Sequence, residues 1–173
     1  MTLEGEHIYL RALEKGDLDF LYHLENNTDV WEISGTITPY SKNVLQLYLE
    51  NAHRDIYDVK QLRLVVCNLA HEAIGLIDIF DFDPKNKRAG IGIVIINASD
   101  RNKGAGGEAL EVLYKYAFNT LDVHQLYANI LEGNQASIHL FQKHGFELVG
   151  TKKDWIFSNQ KFKNELLFQK LNN

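Results

Sequence analysis

Arg101-Asn102-Lys103-Gly104-Ala105-Gly106-Gly107 sets three glycines within four residues, just behind two basic side chains. The apolar run Gly92-Ile93-Val94-Ile95-Ile96 precedes this segment, and a strongly helical stretch follows it. Residues of these types in this order make a cradle for an anion. Glycine lets the main chain approach a phosphate closely, and the free N–H groups that open a helix carry partial positive charge. The chemistry implied is the grip of a phosphorylated, nucleotide-like ligand. A Walker A loop is excluded, because no Gly-x-x-x-x-Gly-Lys-Ser/Thr string exists in the chain. Residues 104–109 do spell the dinucleotide pattern G-x-G-x-x-G/A, yet residues 97–103 separate the preceding strand from the first glycine, where the fingerprint needs direct succession. A glycine-rich helix start used only for tight packing is the third reading.

Hydropathy patterning predicts the elements that must hold this segment. Strands are expected over 7–11, 61–67, 73–82, 88–96 and 125–131, with three more strand-like segments at 146–150, 153–158 and 165–170. Asp17 is placed to N-cap a helix carrying Leu18, Leu21, Tyr22 and Leu24, and a second helix starts near Ser41. After the glycines, Ala109, Leu110, Val112, Leu113, Tyr116 and Ala117 recur at helical spacing. A shorter helix over 134–144 has Gly145 placed to close it in a left-handed conformation. Strands outnumber helices and most successive strands can pair antiparallel. The fold class is therefore α+β, with a central mixed, largely antiparallel sheet flanked by helices. No linker or repeat divides the 173 residues, so one domain over 1–173 is expected.

Composition narrows the partners. With 45% hydrophobic and 24% charged residues, the chain reads as an ordinary soluble globular protein. A net charge of -5 argues against nucleic acid, whose phosphates need clustered Lys and Arg, and is compatible with a cationic ligand. The first residues lack the basic-then-apolar order of a signal peptide, and no apolar run reaches the roughly 18 residues of a membrane span. A cytoplasmic location with no membrane partner follows. The single cysteine, Cys67, lies in an apolar run and reads as a buried thiol. His124, His139 and His144 show no metal-ligand spacing, so no metal is expected.

A second motif begins about thirty residues after the glycines: Asn134-Gln135-Ala136-Ser137-Ile138-His139-Leu140-Phe141-Gln142-Lys143-His144-Gly145-Phe146. Together the two segments resemble those of the GNAT superfamily of acetyl-CoA-dependent N-acetyltransferases. Arg11-Ala12-Leu13-Glu14, with Asp17-Leu18 behind it, is similar to the branch holding ribosomal-protein and diamine (spermidine-type) enzymes. The resemblance implies acetyl-CoA as cosubstrate, a small-molecule amine as acceptor and a possible homodimer. It implies a pyrophosphate site on the backbone of Asn102, Lys103, Gly104, Ala105, Gly106 and Gly107, with Arg101 opening the loop. A side chain at Gly104 or Gly106 would intrude on the phosphate. The backbone of Ile93, Val94 and Ile95 would bind the pantetheine arm and acetyl carbonyl; Asn134 and Ser137 would contact the cofactor, and Phe141 would pack on it.

In such a reaction an amine attacks the thioester directly. Deprotonating an amine of pKa about 10.4 at pH 7 costs about 4–5 kcal/mol, so a carboxylate that removes the proton has real value. Asp78, Asp81, Asp83 and Glu32 are the candidates, and Asp78 and Asp81 match acidic positions of polyamine-acetylating relatives. Strand alternation puts Asp78 and Asp81 on opposite faces, so one at most faces a site. Many GNAT enzymes carry tyrosine where this chain has Phe141, and that hydroxyl protonates the departing thiolate. Phenylalanine cannot do so, which leaves the general acid unassigned, with Tyr127 or water as substitutes. A small diamine or polyamine is the expected acceptor; a ribosomal-protein-type Nα-acetyltransferase and a non-catalytic CoA-binding domain are the alternatives.

Overall fold

Period-two alternation builds the sheet. The computed structural model describes residues 3–101 and 103–173, with seven strands: β1 (Ile8–Ala12), β2 (Leu62–Asn68), β3 (Ala73–Asp83), β4 (Arg88–Ile95), β5 (Gln125–Leu131), β6 (Glu147–Ser158) and β7 (Lys161–Leu171). They form one sheet in the order β1-β2-β3-β4-β5-β7-β6. Every neighbouring pair is antiparallel except β4 and β5, as the α+β expectation requires. Helices α1 (Leu18–Glu25), α2 (Thr28–Ser34), α3 (Lys42–Glu50) and α4 (Ile56–Val59) lie between β1 and β2. Helices α5 (Ala98–Arg101) and α6 (Ala105–Asn119) lie between β4 and β5, and α7 (Gln135–Lys143) follows β5.

Alternate residues of each strand feed two separate layers. Ile77, Ile79, Ile91 and Ile95 pack on one face with Leu110 and Leu113 of α6 and Phe141 of α7. Val65, Cys67 and Leu76 pack on the other with Leu21 and Leu24 of α1 and Leu45 and Leu49 of α3. Each fully buried Leu or Ile contributes about 1.5–3 kcal/mol. These layers, more than helix propensity, hold the helices against the sheet.

Several elements differ from the sequence expectation. The two strand segments at 146–150 and 153–158 are one strand, β6, which bends at irregularities between Leu148 and Gly150 and between Lys152 and Ile156. The β6–β7 turn is tighter than patterning suggests: Asn159 and Gln160 take φ of 52° and 62°, the left-handed pair that closes a two-residue hairpin. The short helices α2, α4 and α5 carry too few apolar positions to show a period. Gly145, at φ 82°, closes α7 as expected. Among the described residues no helix is long and apolar enough to cross a membrane.

Asp17 occupies the N-cap position of α1, as expected, but its side chain does not cap the helix. It sits in a 3-10 turn ahead of α1 and makes no capping bond to that helix. Arg11 donates to both of its oxygens at 2.8 Å, and the Glu14 N–H donates at 2.7 Å. These three donors engage both oxygens and aim the carboxylate at Arg11 and Glu14 instead of the first N–H groups of α1. The Arg11 bonds hold the Asp17 carboxyl below its ordinary value, outweighing burial, and the Glu14 N–H adds to them. Since the unfolded carboxyl titrates near 3.9, the contribution is complete above about pH 4 and is lost as pH falls through the lower folded value. Asp17→Asn is expected to lower the Tm at pH 7 and to flatten the acid limb of Tm against pH. Melting curves from pH 7 to 3 check this, and an unaltered acid limb would exclude Asp17 as its source.

Candidate active site

Strands β4 and β5 pair in parallel over three positions, Arg88 with Gln125, Ala89 with Leu126 and Gly90 with Tyr127, and then part. Beyond Gly90, β4 stays paired with β3, and beyond Tyr127, β5 stays paired with β7. One edge of β4 from Ile91 to Ile95 is thereby left without a ladder partner, and its N–H and C=O groups are open to a ligand. A cavity of about 440 Å³ fills the gap, with Gly92, Ile93 and Val94 on one wall and Ala128, Asn129 and Ile130 on the other. Asn134, Ser137 and Phe141 of α7 also line it.

Of the predicted cofactor residues, Ile93, Val94, Asn134, Ser137 and Phe141 line this cleft, and the described residues of the glycine loop do not. Ile93 and Val94 line it, whereas the Ile95 side chain is buried against α6. Asn134 N-caps α7 by accepting from the Ser137 N–H at 3.2 Å, which leaves its amide NH2 for a ligand. Asn102 lies outside the described residues. Arg101 ends α5 and donates to the Ile96 carbonyl at 3.2 Å, so its guanidinium folds back over the end of β4. Lys103 and Gly104 are exposed, while Ala105 and Gly106 are buried. Helix α6 opens on Gly104 with no side chain capping its first turn, the arrangement that favours an anion.

The glycines divide by role. Gly104 has φ 80°, and a Cβ built there meets nothing within 4 Å, so its outer face is open space. Gly106 differs: its Cβ would point inward, 3.6 Å from Ile95 Cγ1 and 3.7 Å from Leu140 Cδ2, and not into open space. A Cβ on Gly107 would lie 2.8 Å from His144 Nε2, so this glycine serves the close approach of α6 and α7. The β4–α6–β5 connection is in fact a parallel crossover. What separates it from a dinucleotide fold is α5, placed between strand and glycines.

The acidic candidates separate as well. Asp78 lines the cleft, in register with Gly92 on β4 and Arg63 on β2. Its oxygens accept from Arg63 at 2.7 and 3.0 Å, and the same guanidinium donates to Glu25 at 2.7 Å. Burial alone would make Arg63 less basic, but Asp78, with Tyr48 and Glu25 behind it, keeps its pKa raised. Three charged groups thus leave one net negative charge on the cleft wall. Asp81 is exposed at a β3 irregularity with φ 48° and does not line the cleft, and Asp83 accepts from Asn86 within the 84–87 turn. Tyr127 stands below the point where the strands part, edge-on to Phe80 at 5.9 Å, and burial with nearby Asp81 raises its pKa. Ser137 is the hydroxyl that α7 brings to the cleft.

Sequence reasoning passed over Arg63, Glu25 and Glu165, which all line the cleft beside Glu32. The available signal was a charge inside an apolar strand: Arg63 within Leu62–Asn68, and Glu165 next to Leu166 and Leu167.

Comparison with known proteins agrees with this geometry. The acetyltransferase (GNAT) domain model matches residues 7–147. A spermidine N(1)-acetyltransferase of Escherichia coli strain K12 is 29% identical over 92% of this chain and 83% of its own length. The crystal structure of a spermidine N-acetyltransferase from Vibrio cholerae in complex with CoA and spermine superposes with a TM-score of 0.85 at 25% identity, over 95% of each chain. A dodecameric structure of the Vibrio cholerae enzyme in an intermediate state gives a TM-score of 0.79 at 28% identity, over 95% of this chain and 94% of that one.

Proposed function

The chain belongs to the acetyltransferase (GNAT) family, and on that premise we propose that it moves an acetyl group from acetyl-CoA to a primary amine of a diamine or polyamine. The observation that carries the reading is the cleft between β4 and β5. It joins an unpaired strand edge to a negatively charged wall, and Gly106 in the first turn of α6 packs behind Ile93 of that edge. Acetyl-CoA would supply an activated acyl thioester whose leaving group is the CoA thiolate. Lys103 and the first-turn backbone of α6 hold the pyrophosphate, and Arg101 keeps the loop against β4. The open edge of β4 around Ile93 and Val94 orients the pantetheine arm and the acetyl carbonyl, and Asn134 and Ser137 flank them from α7.

The acceptor enters beside Asp78 and Gly92, where the missing Gly92 side chain leaves bare backbone. Asp78 and Glu25, sharing Arg63, draw the ammonium, and Asp78 takes up its proton through water. Phe141 excludes water from the cofactor side of the cleft but has no proton to give, so the thiolate departs unassisted by that residue. A thiol of pKa about 8.5 is a good enough leaving group for this. Self-association belongs to the same reading, supported by the dodecameric relative.

A thiol-release assay across spermidine, putrescine, free amino acids and ribosomal peptides tests the proposal. The expected result is turnover with spermidine or putrescine well above that with amino acids or peptides. Turnover confined to peptides would overturn the acceptor class, and release with none of them would overturn acetyl transfer to amines of these kinds.

A further inference from the structure

The nitrogen that attacks a thioester must be neutral, so its charge contributes nothing to recognition at the moment of reaction. Discrimination between a polyamine and a simple monoamine therefore rests on a second ammonium, bound to a carboxylate elsewhere in the cleft. Of the four carboxylates that line it, Glu25 and Asp78 share Arg63. The other two are each paired with a lysine. Lys152 is held to Glu165 at 2.6 Å, to Asn129 Oδ1 at 3.0 Å and over the Trp155 ring, 5.0 Å from its centroid. Lys163 is bonded to Glu32. Removing Lys152 from Glu165 breaks three contacts, whereas removing Lys163 from Glu32 breaks one. The exchangeable lysine is Lys163.

Glu32 also has the setting that a cation site needs. It stands on α2, a helix with no buried residue, lines the cleft, and is paired with Lys163 of β7. Both side chains are partly exposed, at 34% and 25%, so solvent and ligand reach them. Lys163 and then the Ser158 hydroxyl hold the Glu32 carboxyl below its ordinary value, which keeps it ionised. A lysine side chain is itself a primary alkylammonium. It presents to Glu32 the same chemical group that the end of a polyamine would present.

We propose that Glu32 is the binding site for the distal ammonium of a polyamine acceptor, and that Lys163 occupies it until the acceptor takes its place. This rests on the reading of the cleft as a polyamine acetyltransferase site. The exchange replaces one alkylammonium with another, so the Glu32 carboxylate is never left unpaired. It also frees a long side chain that the ion pair had ordered.

The test measures calorimetric binding of spermidine and of n-propylamine, with thiol release from acetyl-CoA followed on the same samples. Glu32→Gln is expected to lower the ratio of spermidine to propylamine affinity about tenfold, the scale of one charge-assisted contact. Lys163→Met is expected to raise spermidine affinity severalfold, and Glu32→Gln in that background should cancel the gain. An unchanged ratio in Glu32→Gln, or weaker spermidine binding in Lys163→Met, overturns the assignment of Glu32. Wild-type protein that binds spermidine with the expected Glu32 dependence but releases no thiol would refute acetyl transfer and keep the cation site. Spermidine turnover with no Glu32 dependence would do the reverse.

Discussion

Replacing Gly104 by valine is expected to weaken CoA binding about 100-fold or more while the chain still folds. The residue is exposed, its φ is 80°, and a Cβ there would project into space that nothing in the protein occupies. That space lies over the first turn of α6, where no side chain caps the helix. A branched side chain there pushes a pyrophosphate off the amides. Losing two charge-assisted hydrogen bonds of about 1.5–3 kcal/mol each accounts for the expected loss. The cost to the fold is smaller. The left-handed conformation costs a side-chain-bearing residue about 1–2 kcal/mol, or a few degrees of Tm in a domain of this size. Ala105, Ala109, Leu110 and Leu113 keep α6 seated on the sheet.

Gly106→Ala supplies the contrast. Its added methyl would make ordinary contacts of 3.6–3.9 Å with Ile95, Leu140 and Ile93, on the far side of the turn from the open space. CoA affinity in that variant is expected to stay within about threefold of wild type, well under one hydrogen bond. Calorimetry with CoA on both proteins, with melting curves beside it, checks the pair. Equal losses in the two variants would mean that the loop acts through its packing and not as a phosphate cradle.

That contrast also marks what the residue string could and could not carry. Spacing alone located the glycine loop and the Asn134-to-Phe146 segment, because a strand, a turn and a helix each leave a local period. It could not say which way the Cα–Hα bond of Gly106 faces, since that depends on where β4 and α7 lie. The sheet's antiparallel character was legible from alternation. The parting of β4 and β5 was not, because it arises from each strand staying with its other neighbour. Asp78 was legible as a charge in an apolar strand, but Arg63, which holds both it and Glu25, joins residues 15 and 38 apart in sequence. Alternation said that only one of Asp78 and Asp81 could face a site; it could not say which, and Asp81 lies exposed at the β3 irregularity with a φ of 48°. Local patterns fixed the elements, and long-range pairing chose which carboxylate reaches the cleft.

The same logic bears on the proton that the leaving thiolate lacks, and makes Phe141→Tyr a gain-of-rate variant. Phe141 lines the cleft although it is only 3% exposed, and its ring packs edge-on against Phe146 at 5.0 Å. A hydroxyl added at the para carbon adds little volume and keeps that packing. General acid catalysis can contribute about 10²–10⁴-fold. Most of that is unavailable here, because a thiol of pKa about 8.5 leaves well without help. An increase in kcat of about tenfold with little change in KM is therefore expected, since the new proton is given only as the bond to sulfur breaks. The rate of the variant should also fall at high pH as the new phenol, of ordinary pKa about 10, loses its proton, a limb absent from the wild-type profile. Ser137 stands one helical turn before Phe141 and lines the same cleft, so it is the hydroxyl that could already fill the role. If Phe141→Tyr leaves kcat unchanged while Ser137→Ala lowers it, the acid is Ser137 or a water it holds. If both leave kcat unchanged, thiolate departure does not limit the rate, and the amine's deprotonation at the Asp78 wall is the step to measure.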